Sequence, residues 1–114
     1  MVEEYKKVIV DYCKTHPGTS FAELNDAFND ADLDYRGAES IVLADYENVV
    51  IWSNWCSDAV QAFQELLNDE ITIDSCDVLI YAIDRIMLDL PVAKRLQSYK
   101  QPHWAPCVIS MKNK

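Results

Sequence analysis

The chain runs to 114 residues, of which 50% are hydrophobic and 11% aromatic, with only two glycines and a formal net charge of −9. One domain of this length buries roughly two-thirds of the surface its unfolded chain exposes, and so apolar a composition excludes general disorder and needs neither metal nor disulfide to hold a core. No apolar run approaches a membrane span, and the start, MVEEYKKVIVDYCK, carries carboxylates ahead of its lysines, unlike a signal peptide. The chain is expected to be soluble and cytoplasmic.

The first helix is marked by Tyr5, Val8, Ile9, Tyr12 and Cys13, which recur at the spacing of one buried helical face, while Glu3 stands four residues ahead of Lys7 on the other. His16-Pro17-Gly18 ends it. A second helix follows at once: Ser20 and Glu23 form the S-x-x-E capping box, and Phe21, Leu24 and Phe28 make its inner face. Residues 29–35, NDADLDY, are acidic and turn-like, with Leu33 and Tyr35 able to tack a mobile loop to the body. Asp30, Asp32 and Asp34 have the spacing of the first ligands of a calcium loop. Tyr35, however, stands where an EF-hand needs glycine, and Ile41 where it needs glutamate, so no calcium is expected. Residues 36–46 read as a short helix through Ala38, Ile41 and Val42, although Gly37 weakens its start.

Residues 48–84 show the clearest internal order, that of strand, helix, strand, strand. The apolar run 49–52 is β-branched and aromatic, which suits a strand. Over 57–69, Ala59, Val60, Phe63, Leu66 and Leu67 fall on one helical face, with Ser57 and Asp58 placed to cap the start. Residues 71–73 then pair with 78–83 as a hairpin across Asp74-Ser75-Cys76-Asp77. After Asp84-Arg85 an apolar run over 86–90 is closed by Pro91, and residues 92–101 are polar and basic. The stretch 103–111, HWAPCVISM, reads as a last strand that Pro102 and Pro106 place at a sheet edge.

Cys13, Cys56, Cys76 and Cys107 never form a C-x-x-C pair, which argues against a zinc knuckle or a thioredoxin-type site and leaves four reduced thiols, mostly core fillers. No metal or other cofactor is expected. Charge is divided unevenly. Residues 1–84 set eighteen carboxylates against Lys6, Lys7, Lys14 and Arg36, a balance of −14, whereas residues 85–114 set six cations against Asp89, a balance of +5. The split fits either a basic contact surface on an acidic body or two parts of one domain that attract each other.

Two or three helices, a strand, a helix and a hairpin make an α+β domain of three to four helices with a small antiparallel sheet. Its centre, WCSDAVQAFQELLNDEITI followed by VLIYAID, resembles the third helix and wing of the winged-helix (helix-turn-helix) family, with an insertion before that helix. The arrangement W-x-x-W, Y-x-x-D, L-x-L-P and H-W-x-P is also similar to short uncharacterised proteins of Gram-positive bacteria and their mobile elements, a likeness that supplies no activity. The winged-helix resemblance implies a third helix that could enter the major groove of DNA. The solvent side of that helix carries Asp58, Gln61, Gln64, Glu65 and Asn68 with no cation, so double-stranded DNA is disfavoured as a partner.

Two surfaces stand as candidates for contact. One is acidic, comprising Glu23, Asp26, Asp30, Asp32, Asp34, Asp58 and Glu65, and suits a basic protein surface. The other interleaves cations with aromatics, comprising Arg85, Lys94, Arg95, Tyr99, Lys100, His103 and Trp104, and suits single-stranded nucleic acid or an acidic peptide, unless Tyr99 and Trp104 cover the sheet while the cations balance the carboxylates beneath. Catalysis finds no constellation: there is no glycine-rich phosphate loop, and His103 and Cys107, four apart on a strand, stand too far from each other for a nucleophile and its base. The expected function is a small acidic protein-interaction or regulatory protein, working through a partner protein or as a homodimer. A nucleic-acid-binding module built on residues 85–114 is the alternative.

Overall fold

A computed structural model of the chain describes residues 1–84, 86–95 and 97–112. Helix α1 (Val2–Thr15) turns Tyr5, Ile9 and Cys13 inward and stops where the His16 backbone N–H closes on the Cys13 carbonyl. Gly18 follows at φ +73°, a left-handed conformation that glycine adopts without strain and that aims the chain into β1 (Thr19–Ser20). Helix α2 (Phe21–Asp30) opens with both halves of the expected capping box, Glu23 N–H on Ser20 Oγ at 3.1 Å and Ser20 N–H on Glu23 Oε1 at 3.3 Å. Its inner face is Phe21, Ala22, Leu24 and Phe28. Helix α3 (Ser57–Leu66) buries Ala59, Val60, Ala62, Phe63 and Leu66 and packs beside α1.

Among the described residues two three-stranded sheets and four helices make up the α+β fold. The first has the order β1-β6-β4, with β6 (Cys107–Met111) antiparallel both to β1 and to β4 (Ile71–Ser75). The second has the order β2-β3-β5, with β2 (Arg36–Val42) antiparallel to β3 (Val49–Trp55) and the short β5 (His103–Trp104) parallel to it. Among the described residues no helix is long and apolar enough to cross a membrane.

Four local expectations are corrected. Residues 36–46 form strand β2 and a turn rather than a helix, because Ile41 is the only side chain β2 buries and the backbone is held by pairing with β3. Gly37 explains the close approach: a Cβ there would lie 2.6 Å from the Trp55 carbonyl oxygen and 2.6 Å from Cys56 Cα. Residues 78–83 are not the partner strand of β4. They open helix α4 (Leu79–Asp84), started by the Leu79 N–H on Asp77 Oδ1 at 2.9 Å, and β6 takes the place beside β4. Residues 103–111 make two strands instead of one edge strand, since Ala105-Pro106 breaks the ladder; β6 is then the central strand of its sheet. Finally, α3 ends at Leu66 rather than Asp69 and its N-cap is Cys56 with no side-chain cap, while Asn68 at φ +71° turns the chain into β4.

Aromatic rings from the second sheet meet rings from α2 and α4 in one cluster. Trp52 stands between Phe21 (centroids 5.7 Å apart) and Tyr81 (5.3 Å), and Trp104 meets Tyr81 edge-on at 5.0 Å. Indole N–H groups are placed as burial demands: Trp104 Nε1 donates to the Ile51 carbonyl at 3.1 Å and Trp55 Nε1 to Asn25 Oδ1 at 2.8 Å. Trp52 Nε1 is buried with no acceptor among the described residues, a cost its stacking must offset. Tyr81, fully buried, holds the cluster in register with one hydroxyl. It donates to the Cys107 carbonyl at 2.6 Å and accepts the Phe21 N–H at 3.0 Å, so α4, β6 and the first turn of α2 share one atom.

Removing that oxygen leaves two buried backbone groups unpaired, so Tyr81→Phe is expected to destabilise the domain by about 1–3 kcal/mol. Urea unfolding followed by tryptophan fluorescence measures this, and an unchanged midpoint would contradict it.

Candidate interaction surfaces

The acidic surface expected from sequence is divided by the fold. Four of its seven members are occupied within the chain. Glu23 serves the capping box and accepts the Tyr12 hydroxyl at 2.9 Å; Asp34 holds Arg36 at 3.3 Å; Asp58 pairs with the amino terminus at 3.2 Å; and Glu65 takes Lys6 at 2.6 Å. Their charges are felt locally. The Lys6 ammonium holds the Glu65 carboxyl below its ordinary range, and the Arg36 backbone N–H and guanidinium do the same for Asp34. Asp26 and Asp30 on α2 and Asp32 in the turn after it remain exposed, with no ion pair among the described residues. Asp30 also lines a groove of about 550 Å³ between α1 and α2, whose walls include Glu4, Lys7, Asp11, Tyr12 and Leu33.

The basic surface is also reshaped. Arg85 lies outside the described residues. Trp104 is a core residue with no exposed surface, so it leaves the set of contact candidates: its indole found a carbonyl and its ring found Tyr81 and Trp52. Lys94, Arg95 and Lys100 stay exposed and make no ion pair among the described residues. Lys94, Arg95, Tyr99 and His103 line one open groove of about 420 Å³. Tyr99 and His103 stack on each other at 3.9 Å, and the Tyr99 hydroxyl donates to the Arg95 carbonyl at 2.8 Å, which curls the segment into a loop. The loop is fastened to the turn before β3, where Tyr99 N–H reaches the Glu47 carbonyl at 3.0 Å and Asn48 Nδ2 the Tyr99 carbonyl at 2.8 Å.

A third surface was not legible as a site. Helix α4 sends Tyr81 inward and leaves Leu79, Ile80 and Ile83 outside. Leu79 is 63% exposed, Ile80 40% and Ile83 79%, and the chain beyond continues the patch with Ile86 at 38% and Met87 at 49%. Five large apolar side chains in nine consecutive positions are more than scattered surface hydrophobics. Read as a strand, 78–83 would have hidden alternate residues; read as a helix, it hides one. The signal available in sequence was Asp77, a helix-starting residue two positions before Leu79.

Three thiols and two phenols are held protonated by burial. Burial pushes Cys107 up to about 12 and raises Cys13 and Cys76; it also lifts Tyr5 and Tyr12 to about 12. His103 and Cys107 begin strands of different sheets, the ring on Tyr99 and the thiol donating to the Ala105 carbonyl at 3.3 Å. Compared with known proteins, the chain matches no family model, no curated protein and no solved structure.

The raised values set the alkaline limit of the fold. Exposed, Cys107 would titrate at 9.0 and Tyr5 and Tyr12 at 10.0, so the unfolded chain loses these protons before the folded one, held at about 12. Their contribution to stability is whole below about pH 9 and is lost as pH rises from there through 12. Near-UV circular dichroism along an alkaline titration is expected to show unfolding within that window; a signal flat to its upper end would contradict it.

Proposed function

We propose that this is a small, non-catalytic protein-interaction or regulatory protein of the cytoplasm, built on a winged-helix-like scaffold. The observation that carries the reading is the outward apolar face of α4, since soluble domains rarely leave Leu79, Ile80, Ile83, Ile86 and Met87 together in water without a partner to cover them. Support for the scaffold comes from topology: α1, α2 and α3 precede a ribbon of β4 and β6, and β1, between the first two helices, adds to the ribbon's edge. The free state of all four cysteines agrees with a reducing compartment.

Double-stranded DNA is a poor ligand for this scaffold. The open side of α3 presents Gln61 and Glu65 hydrogen-bonded to each other at 2.6 Å, with Glu65 also tied to Lys6, so the helix meets a phosphate backbone with carboxylates. A second reading, single-stranded nucleic acid at the groove of Lys94, Arg95, Tyr99 and His103, is favoured by one observation: cations without ion pairs among the described residues stand beside a stacked aromatic pair.

The main reading is tested by co-purification from cells that carry the gene. Tagged wild-type protein is expected to bring down a protein, a second copy of itself included, that a Leu79→Glu, Ile83→Glu double variant leaves behind. Identical recoveries would contradict the reading, and a retardation of single-stranded oligonucleotide lost in Lys94→Glu would favour the second.

A further inference from the structure

We propose that the occupant of the α4 face is a second copy of this chain, packed about a two-fold axis. The proposal rests on the reading of α4 as a contact surface and names its partner.

Area is the first argument. From their exposures, Leu79, Ile80, Ile83, Ile86 and Met87 present on the order of 500 Å² of apolar surface. Two copies meeting face to face remove on the order of 1,000 Å² before any rim is counted, which reaches the lower end of specific interfaces. An isologous contact also suits the shape. A two-fold axis crosses each short helix with its own image, setting Leu79 of one copy towards Ile83 of the other, one helical turn along.

Charge is the second argument, and it favours a copy over a different partner. Residues 1–73 carry fifteen carboxylates against four cations, a balance of −11, and residues 74–114 carry four carboxylates against six cations, a balance of +2. A partner chosen by opposite charge is steered to α2, the loop after it and α3, which carry carboxylates without cations, away from α4. Two copies of a chain with net charge −9, by contrast, approach closely only where the field is weak, and the stretch that carries α4, residues 74–95, sets four carboxylates against three cations, a balance of −1. The rim of the α4 face holds both signs, as a surface that must meet its own image requires: Asp77 at the start of the helix shares a cleft of about 340 Å³ with Lys94 and Arg95. Being largely apolar, the contact persists in high salt, which screens the repulsion between the acidic bodies.

Sedimentation equilibrium of the purified full chain, from low micromolar to near-millimolar concentration, tests this. Wild-type mass is expected to rise with concentration towards twice the 13.1 kDa of the chain, and more steeply at high salt. Leu79→Glu and Ile83→Glu are expected to weaken association more than tenfold with unchanged circular dichroism. Val42→Glu, at a 56% exposed apolar position on β2, should associate like the wild type. A wild type that stays at the 13.1 kDa of one chain throughout, or an Ile83→Glu variant that associates as well as the wild type, overturns the proposal. If the wild type is monomeric while the double variant still loses a different protein in co-purification, the contact surface stands and the second copy does not; if neither effect occurs, both readings fall.

Discussion

One hydroxyl ties together parts of the chain that are far apart in sequence. Tyr81 Oη joins the first N–H of α2, the first carbonyl of β6 and the middle of α4, and its ring lies against Trp52 and Trp104 from the second sheet. A helix start has unpaired N–H groups, and a strand start next to a proline has a carbonyl that needs a donor. Tyr81 supplies both needs from within the core. It also decides the orientation of α4: once this ring is committed inward, Leu79, Ile80 and Ile83 of this six-residue helix turn to solvent.

Elements specified by local periodicity were legible in the sequence. The α1 stripe, the Ser20/Glu23 box and the inner face of α3 each repeat within one or two turns, and the run beginning at Val49 is buried on both faces as its composition suggests. Elements specified by tertiary contact were not. Strand β2 buries Ile41 alone, so it lacks the alternation that marks a half-buried strand, and it exists because β3 pairs with it. Residues 78–83 are apolar at nearly every position, a pattern that periodicity cannot divide between strand and helix. Pro106 suggested an edge, yet it precedes β6, and its carbonyl accepts the Cys76 N–H at 3.0 Å, so the central strand loses no ladder bond to it.

Candidate contact residues show the same division. Charges were countable, but their pairing was not: Glu23, Asp34, Asp58 and Glu65 are engaged within the chain, whereas Asp26, Asp30, Asp32, Lys94, Arg95 and Lys100 face solvent. Trp104 was read among cations because its neighbours in sequence are basic, while its neighbours in space are Ile51, Trp52 and Tyr81. The domain that results has an acidic side made by α2 and the loop after it, a cationic loop pinned beside β3, and an apolar helix between β4 and that loop. Of the three, only the apolar face is unfavourable to leave in water, which makes it the surface where contact gains most.

The account therefore turns on which way α4 faces and what covers it. Methyl NMR with a soluble paramagnetic probe reads both at once. In a dilute sample the methyls of Leu79, Ile80 and Ile83 are predicted to be broadened while those of Ile9 and Ile51 are not; in a concentrated sample the α4 methyls are predicted to become protected. Protection of Leu79 and Ile83 at every dilution, or broadening of them at every concentration, would contradict it.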